Sequence, residues 1–186
     1  MTDKEKLEKA YSGLLGQEIV VKKGRKGQNV IALASARPKS EPTEKQLKWA
    51  QNMRKASQYA KNALAIPELL ALYTKHSRKN YPAYRVAVND FLQKPVIDTI
   101  DHSGYRGNVD DTVIVSATDK IAITGVSVKL TAPDGTLIES GACVQDLPTS
   151  NYIYTATCQV DVIAGTVICI TVTDIPGNKV EKAITL

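Results

Sequence analysis

ITGVSVKLTAPDGTLIES, residues 123–140, decides the fold class of this chain. Val126, Val128 and Leu130 alternate with Ser127 and Lys129, the period of two that belongs to a strand with one buried face. Ala132-Pro133-Asp134-Gly135 then reads as a turn, because Pro presets φ, Asp bonds its own backbone and Gly takes a positive φ. The chain returns through Thr136–Ser140. The same alternation recurs downstream, where Ile168, Ile170 and Val172 oppose Thr171 and Thr173, and Ile175-Pro176-Gly177-Asn178 marks a second turn. Working outward, the alternation gives strands at Val96–Asp101, Thr112–Thr118, Ile123–Thr131, Thr136–Ser140, Asn151–Gln159, Thr166–Thr173 and Lys179–Leu186. Seven short strands separated by turn signals predict an antiparallel β-sandwich. Each fully buried large aliphatic side chain contributes about 1.5–3 kcal/mol, so two facing rows supply the core of a small domain.

Upstream of Val96 the period changes. RPKSEPTEKQLKWAQNMRKASQYAKNAL, residues 37–64, opens with prolines that keep the chain extended. Thr43 followed by Gln46 has the spacing of a capping box. Leu47, Ala50, Met53, Ala56, Ala60 and Leu64 recur at threes and fours, which predicts a helix with a narrow apolar stripe. Trp49, the one tryptophan, is expected beside that stripe. Lys45, Lys48, Arg54, Lys55 and Lys61 fall largely off it, as a solvated basic face does. Two further helical segments follow, each with a proline tolerated at its start, Pro67 and Pro82. Leu69, Leu70 and Tyr73 line the first. Tyr84, Ala87, Val88 and Phe91 line the second, which must stop before Pro95. Before all three, EIVVKK (18–23) and NVIALAS (29–35) read as strands of a hairpin joined by GRKGQ (24–28). Residues 3–11 have the pattern of a short helix, broken by Ser12-Gly13 and Gly16.

The fold class expected is therefore α+β: an N-terminal β-hairpin plus helices, then an antiparallel, immunoglobulin-like β-sandwich. The expected division is residues 1–95, a basic hairpin-plus-helical domain, and residues 96–186, the sandwich. Charge follows it. The chain carries a formal net charge of +5, but residues 1–95 hold 19 Lys and Arg against 8 Asp and Glu, and residues 96–186 hold 5 against 11. A basic half beside an acidic half suggests an anionic partner or head-to-tail self-association.

Two resemblances add to this reading. VSATDKIAITGVSVKLTAPDGTLIESG (115–141), YIYTAT (152–157) and ITVTDIPGN (170–178) resemble a bacterial immunoglobulin-like domain over about residues 96–186. The shared features are the Ala-Thr-Asp strand end, the Gly-Val-x-Val strand, the Asp-Gly turn and the Thr-Asp-x-Pro-Gly-Asn turn before the last strand. The Cys–Trp–Cys core of antibody domains is missing. GLLGQEIVVKKGRKGQNVIALASARPKS (13–40), PTEKQL (42–47), ASQYAKNAL (56–64) and NYPAYRVAVNDFL (80–92) resemble an uncharacterised family of bacterial mobile-element-associated proteins. That resemblance implies a non-catalytic, structural or assembly role and no particular chemistry.

Catalytic patterns are not found. No nucleophile elbow, metalloprotease, dinucleotide or phosphate-loop pattern occurs, and GRKG lacks the Gly-Lys-Ser/Thr ending of a phosphate loop. His76 and His102 stand apart from each other and from the cysteines in sequence. Cys143, Cys158 and Cys169 match no zinc spacing and read as free thiols, with a Cys158–Cys169 bridge as the alternative. Asp110, Asp111, Asp119, Asp134, Asp146 and Asp174 sit near strand ends without the Asp-x-Asp-x-Asp run of a calcium loop. No cofactor and no metal is expected. The opening residues are too charged for a signal peptide and no apolar run reaches spanning length, so a cytoplasmic or particle-assembled protein is expected, with export left open.

The function expected is that of a non-enzymatic structural or assembly protein acting through protein–protein binding or self-association. Its partner-binding residues would be Leu47, Trp49, Met53 and Tyr59. The alternative is non-specific nucleic-acid binding, with Lys22, Lys23, Arg25, Lys26, Lys48, Arg54 and Lys55 on phosphates. The third reading is an exported surface-binding module. Eight tyrosines against one phenylalanine suit interfaces and base stacking alike.

Overall fold

The structure, a computed structural model, describes residues 13–15, 19–24, 27–33, 41–160 and 162–186. Its contacts separate two compact units, residues 1–43 and residues 44–186. The helix expected over residues 3–11 lies outside the described residues, as do Arg25 and Lys26 of the hairpin tip.

The first unit contains a three-stranded antiparallel sheet of β1 (Gly13–Leu15), β2 (Ile19–Lys23) and β3 (Asn29–Leu33), in the order β1-β2-β3. The hairpin is there as expected, with Val21 opposite Ile31 and Lys22 opposite Val30. β1 is a correction: Gly13–Leu15 pair with Ile19–Val21, where the sequence pattern reads only as a helix break. At the tip, Gly27 has φ +80° and donates its N–H to the Gly24 carbonyl, a conformation that glycine adopts without steric cost.

The second unit begins with three helices, α1 (Glu44–Leu64), α2 (Pro67–Lys75) and α3 (Ala83–Leu92). α1 starts directly after Thr43. Pro67 opens α2, where a missing N–H costs nothing, and α3 follows Pro82 in extended conformation. Ala56, Ala60 and Ala63 of α1 are buried against Tyr73 of α2 and Val86, Ala87 and Val88 of α3. The alanines allow close helix approach, which a row of leucines would prevent.

Two four-stranded antiparallel sheets complete the unit. In one, β6 (Ile123–Thr131), β7 (Leu137–Ala142), β10 (Val167–Asp174) and β11 (Lys179–Thr185) run in the order β11-β10-β6-β7. In the other, β4 (Val96–Asp101), β5 (Thr112–Thr118), β8 (Val144–Gln145) and β9 (Tyr152–Thr155) run in the order β4-β5-β9-β8. β6 behaves as its alternation requires. Val126, Val128 and Leu130 point inward and pair across the ladder with Val172, Ile170 and Ile168. The facing sheet supplies Val113, Val115, Ala117, Tyr152 and Tyr154 to the same core. The molecule is thus α+β, with an N-terminal hairpin, helices and an antiparallel β-sandwich. β8 adds to the expected strands, and the strand expected over Asn151–Gln159 is shorter, because Ala156–Cys158 leave the ladder. There Glu139 Oε2 accepts from the Thr157 amide (2.9 Å), the Thr157 hydroxyl (2.6 Å) and the Cys158 amide (3.2 Å). A buried carboxylate holds the segment that a strand would otherwise continue.

Helices and sandwich are joined at the turn after β10. Asp174 Oδ1 accepts from the Asn178 amide at 2.6 Å, and Gly177 takes φ +87°. The Asn178 side chain donates to the Phe91 and Gln93 carbonyls and to Asp174 Oδ2. A turn residue of the sandwich so satisfies carbonyls at the C-terminus of α3, which have no partner within a helix. Ile121, from the turn between β5 and β6, packs into the helical cluster.

Candidate interaction surface on α1

α1 is 21 residues long and α3 only 10. At about 3.6 residues per turn, α1 outruns α3 by some three turns. Glu44 to Asn52 are exposed on every side, and burial on α1 starts at Met53 and Ala56. An α-helix returns to the same side every seven residues, so sevenfold rows describe the faces of α1. Trp49, Ala56 and Ala63 form one row, and the last two are core residues. Trp49 therefore continues the packing face of α1 beyond the bundle, where it is 65% exposed. The expectation that tryptophan stands beside the stripe is corrected. Leu47 shares its row with Arg54 and Lys61 on the far side and is 49% exposed, so it does not belong to the packing face. Counting threes and fours from Leu47 starts the stripe about half a turn away from the face the alanines define.

Met53 is half-buried against the helical cluster. Tyr59 also belongs to that cluster, with its ring centroid 5.3 Å from that of Phe91. Its hydroxyl lies 2.7 Å from that of Tyr73, which in turn donates to Asp90 Oδ2 at 2.7 Å. Since the one Tyr73 hydroxyl hydrogen goes to Asp90, Tyr59 donates to Tyr73. Burial pushes the Asp90 carboxyl up to about 6, partly offset by the Tyr73 bond, while Asp119 and Asp174 raise it further. Burial also drives the Tyr73 hydroxyl far above its ordinary range. Tyr59 is thus part of an internal polar chain, and Trp49 is the exposed aromatic of α1.

The basic residues fall into separate groups. Lys48 and Lys55 share one row, about 100° round the helix from Trp49, and both are exposed. Arg54 lies in the Leu47 row and is exposed. Lys22 is exposed on β2 of the other unit, and Lys23 ends that strand opposite Asn29. The sandwich carries apolar exposure of its own. Val144 of β8 and Leu147 just beyond it are 74% and 82% exposed, with Asp146 between them. Neither stands out in the sequence, because a two-residue strand leaves too little alternation to read.

The three cysteines are free: Cys158 is exposed, and burial pushes the Cys143 thiol up to about 12. Several turn aspartates bind their own loops, as Asp111 Oδ2 does with the amides of Arg106 (2.7 Å) and Asn108 (2.8 Å). Those bonds hold the Asp111 carboxyl below its usual range. Among the described residues no group of three or more His, Cys, Asp and Glu is placed to hold a metal ion, and no helix is long and apolar enough to cross a membrane. No family model matches the chain, and no curated protein or solved structure is significantly similar to it.

Proposed function

We propose that this is a non-enzymatic assembly protein that associates head to tail, the Trp49 end of α1 docking on the β8 end of the sandwich of a second copy. The observation that carries the reading is the Trp49–Ala56–Ala63 row, which is core at one end and open at the other. Tryptophan at the centre of an interface is among the residues whose truncation costs most. A second copy is favoured by charge. Residues 44–64 hold five Lys and Arg against one acid, so two α1 helices laid together repel, whereas residues 96–186 hold 11 acids against 5 bases. Val144 and Leu147 supply exposed apolar side chains on that acidic domain. Such a contact is heterologous, and it builds rings or open chains of subunits. The strand division supports the immunoglobulin-like reading of the sandwich. β4-β5-β9-β8 and β6-β10-β11 correspond to ABED and CFG, with β7 added at an edge.

Sedimentation velocity across a concentration series tests the proposal. Assembly should grow with concentration, weaken with added salt, and be lost in both W49A and L147D. A W49A chain that assembles like wild type overturns it. Assembly that strengthens with salt points instead to α1 packing on α1. The second reading is nucleic-acid binding by Lys48 and Lys55, favoured by their shared exposed row. It predicts steeply salt-dependent binding of single-stranded DNA or RNA that K48S/K55S abolishes.

A further inference from the structure

A cleft of about 580 Å³ opens where the helices meet the sandwich, between the α2–α3 connection, α3 and the β5–β6 turn. Its inner wall is Val86, Asn89 and Asp90 of α3, with Ile121 opposite, and Arg78, Lys79 and Lys120 line it nearer the surface. Asp90 is only 3% exposed, but its Oδ1 is not among the enclosed unpartnered atoms of the described residues, which are the Tyr105 hydroxyl and Glu139 Oε1, so Oδ1 keeps access to the cleft. Oδ2 accepts from Tyr73, while no donor of the described residues reaches Oδ1. A carboxylate oxygen in so buried a residue costs free energy unless something from solvent serves it. Asp90 is the carboxylate that lines the cleft, and the exposed Arg78, Lys79 and Lys120 line it on the solvent side.

The walls are held in place. Arg78 and Tyr81 exchange backbone hydrogen bonds of 3.0 and 2.8 Å, closing a tight turn in which Asn80 takes φ +72°, a conformation asparagine tolerates better than most residues. The Asn89 side-chain amide donates to the Tyr81 hydroxyl, and Arg85 stacks 4.9 Å from the Tyr81 ring centroid. His76 Nδ1 meets the Leu72 carbonyl at 3.0 Å, which fixes its ring. The connection is thus a formed wall in front of Asp90.

We propose that this cleft binds a small zwitterion. Its ammonium or guanidinium end bonds Asp90 Oδ1, an apolar middle lies between Val86 and Ile121, and its carboxylate or phosphate end meets Arg78, Lys79 and Lys120. Each half of the ligand has its own partner group, so a compound lacking either end loses part of the interaction. The site is separate from the α1 surface, and none of its lining residues belongs to α1.

Calorimetric titration of the full chain tests this with three probes: aminohexanoate with a terminal amine, hexylamine and hexanoate. Aminohexanoate should bind at least about tenfold more tightly than either single-ended probe. D90N should reduce aminohexanoate binding to the level of hexanoate, and K120Q should reduce it toward that of hexylamine. The carboxamide oxygen that D90N introduces can still accept the Tyr73 bond, and Lys120 is exposed, so each variant is expected to fold. No measurable aminohexanoate binding, equal binding of all three probes, or binding unchanged in D90N overturns the proposal.

Discussion

The Asn178 side-chain amide donates to the carbonyl oxygen of Gln93 at 3.0 Å, across 85 residues of chain. It also reaches the Phe91 carbonyl, so one turn of the sandwich ends α3 and fixes the helices to the sheets. That bond ties the C-terminal end of α3, which forms one wall of the cleft, to the sandwich.

Asn178→Ala should therefore lower stability by about 1–3 kcal/mol, since the carbonyls of Phe91 and Gln93 and the Asp174 carboxylate lose a donor together. Denaturant unfolding followed by near- and far-ultraviolet circular dichroism measures it. Stability equal to wild type would show that the bonds do not contribute to joining the two layers.

Asp90 predicts a pH dependence. Its carboxyl is raised from 3.8 to about 6 by burial, with Tyr73 and His76 opposing the rise and Asp119 and Asp174 adding to it. Below pH 3.8 both folded and unfolded chains are protonated there, and the site imposes no charge penalty. As pH rises through about 6 the unfolded chain has already ionised, so the folded state loses up to about 3 kcal/mol. D90N removes this contribution while keeping an oxygen acceptor for Tyr73. The stability of wild type relative to D90N should fall between about pH 4 and pH 7 and level off above. A difference that stays flat across that range contradicts the burial argument.

Glu139 carries three donors on one oxygen, from Thr157 and Cys158. Glu139→Ala should cost about 3 kcal/mol or more in chemical denaturation, because these amides lose their acceptor. Glu139→Gln keeps an oxygen in place and should cost less. Equal losses in the two variants would mean that volume, rather than hydrogen bonding, sets the cost.

How far the sequence carries is clear from particular residues. β6 runs Ile123–Thr131, as its alternation predicts, and β4 and β5 also match their expected bounds. In β6 Val126, Val128 and Leu130 are buried while Ser127 and Lys129 are exposed, which is the condition for a readable period of two, whereas β4 buries only Ile97 and shifts register just after it. The start of α1 after Thr43 is equally legible. The Trp49 row is not, since small alanines define the packing face while Leu47 dominates the hydrophobicity of the helix. β1 and β8 escape notice because three and two residues hold too little periodicity. The cleft cannot be read at all. Asp90 looks like one polar residue on an amphipathic helix, and only the fold brings Lys120 and Ile121 of a distant turn to face it.

Trp49 is the residue on which head-to-tail assembly turns. It is 65% exposed, so Trp49→Ala should leave monomer stability within about 0.5 kcal/mol while removing the anchor of the proposed contact. Sedimentation velocity of wild type and W49A over a range of concentrations, at low and high salt, measures this. The expected result is concentration-dependent assembly of wild type that salt weakens, and a W49A chain that stays monomeric and fully folded. Identical sedimentation of the two chains at every concentration would contradict it.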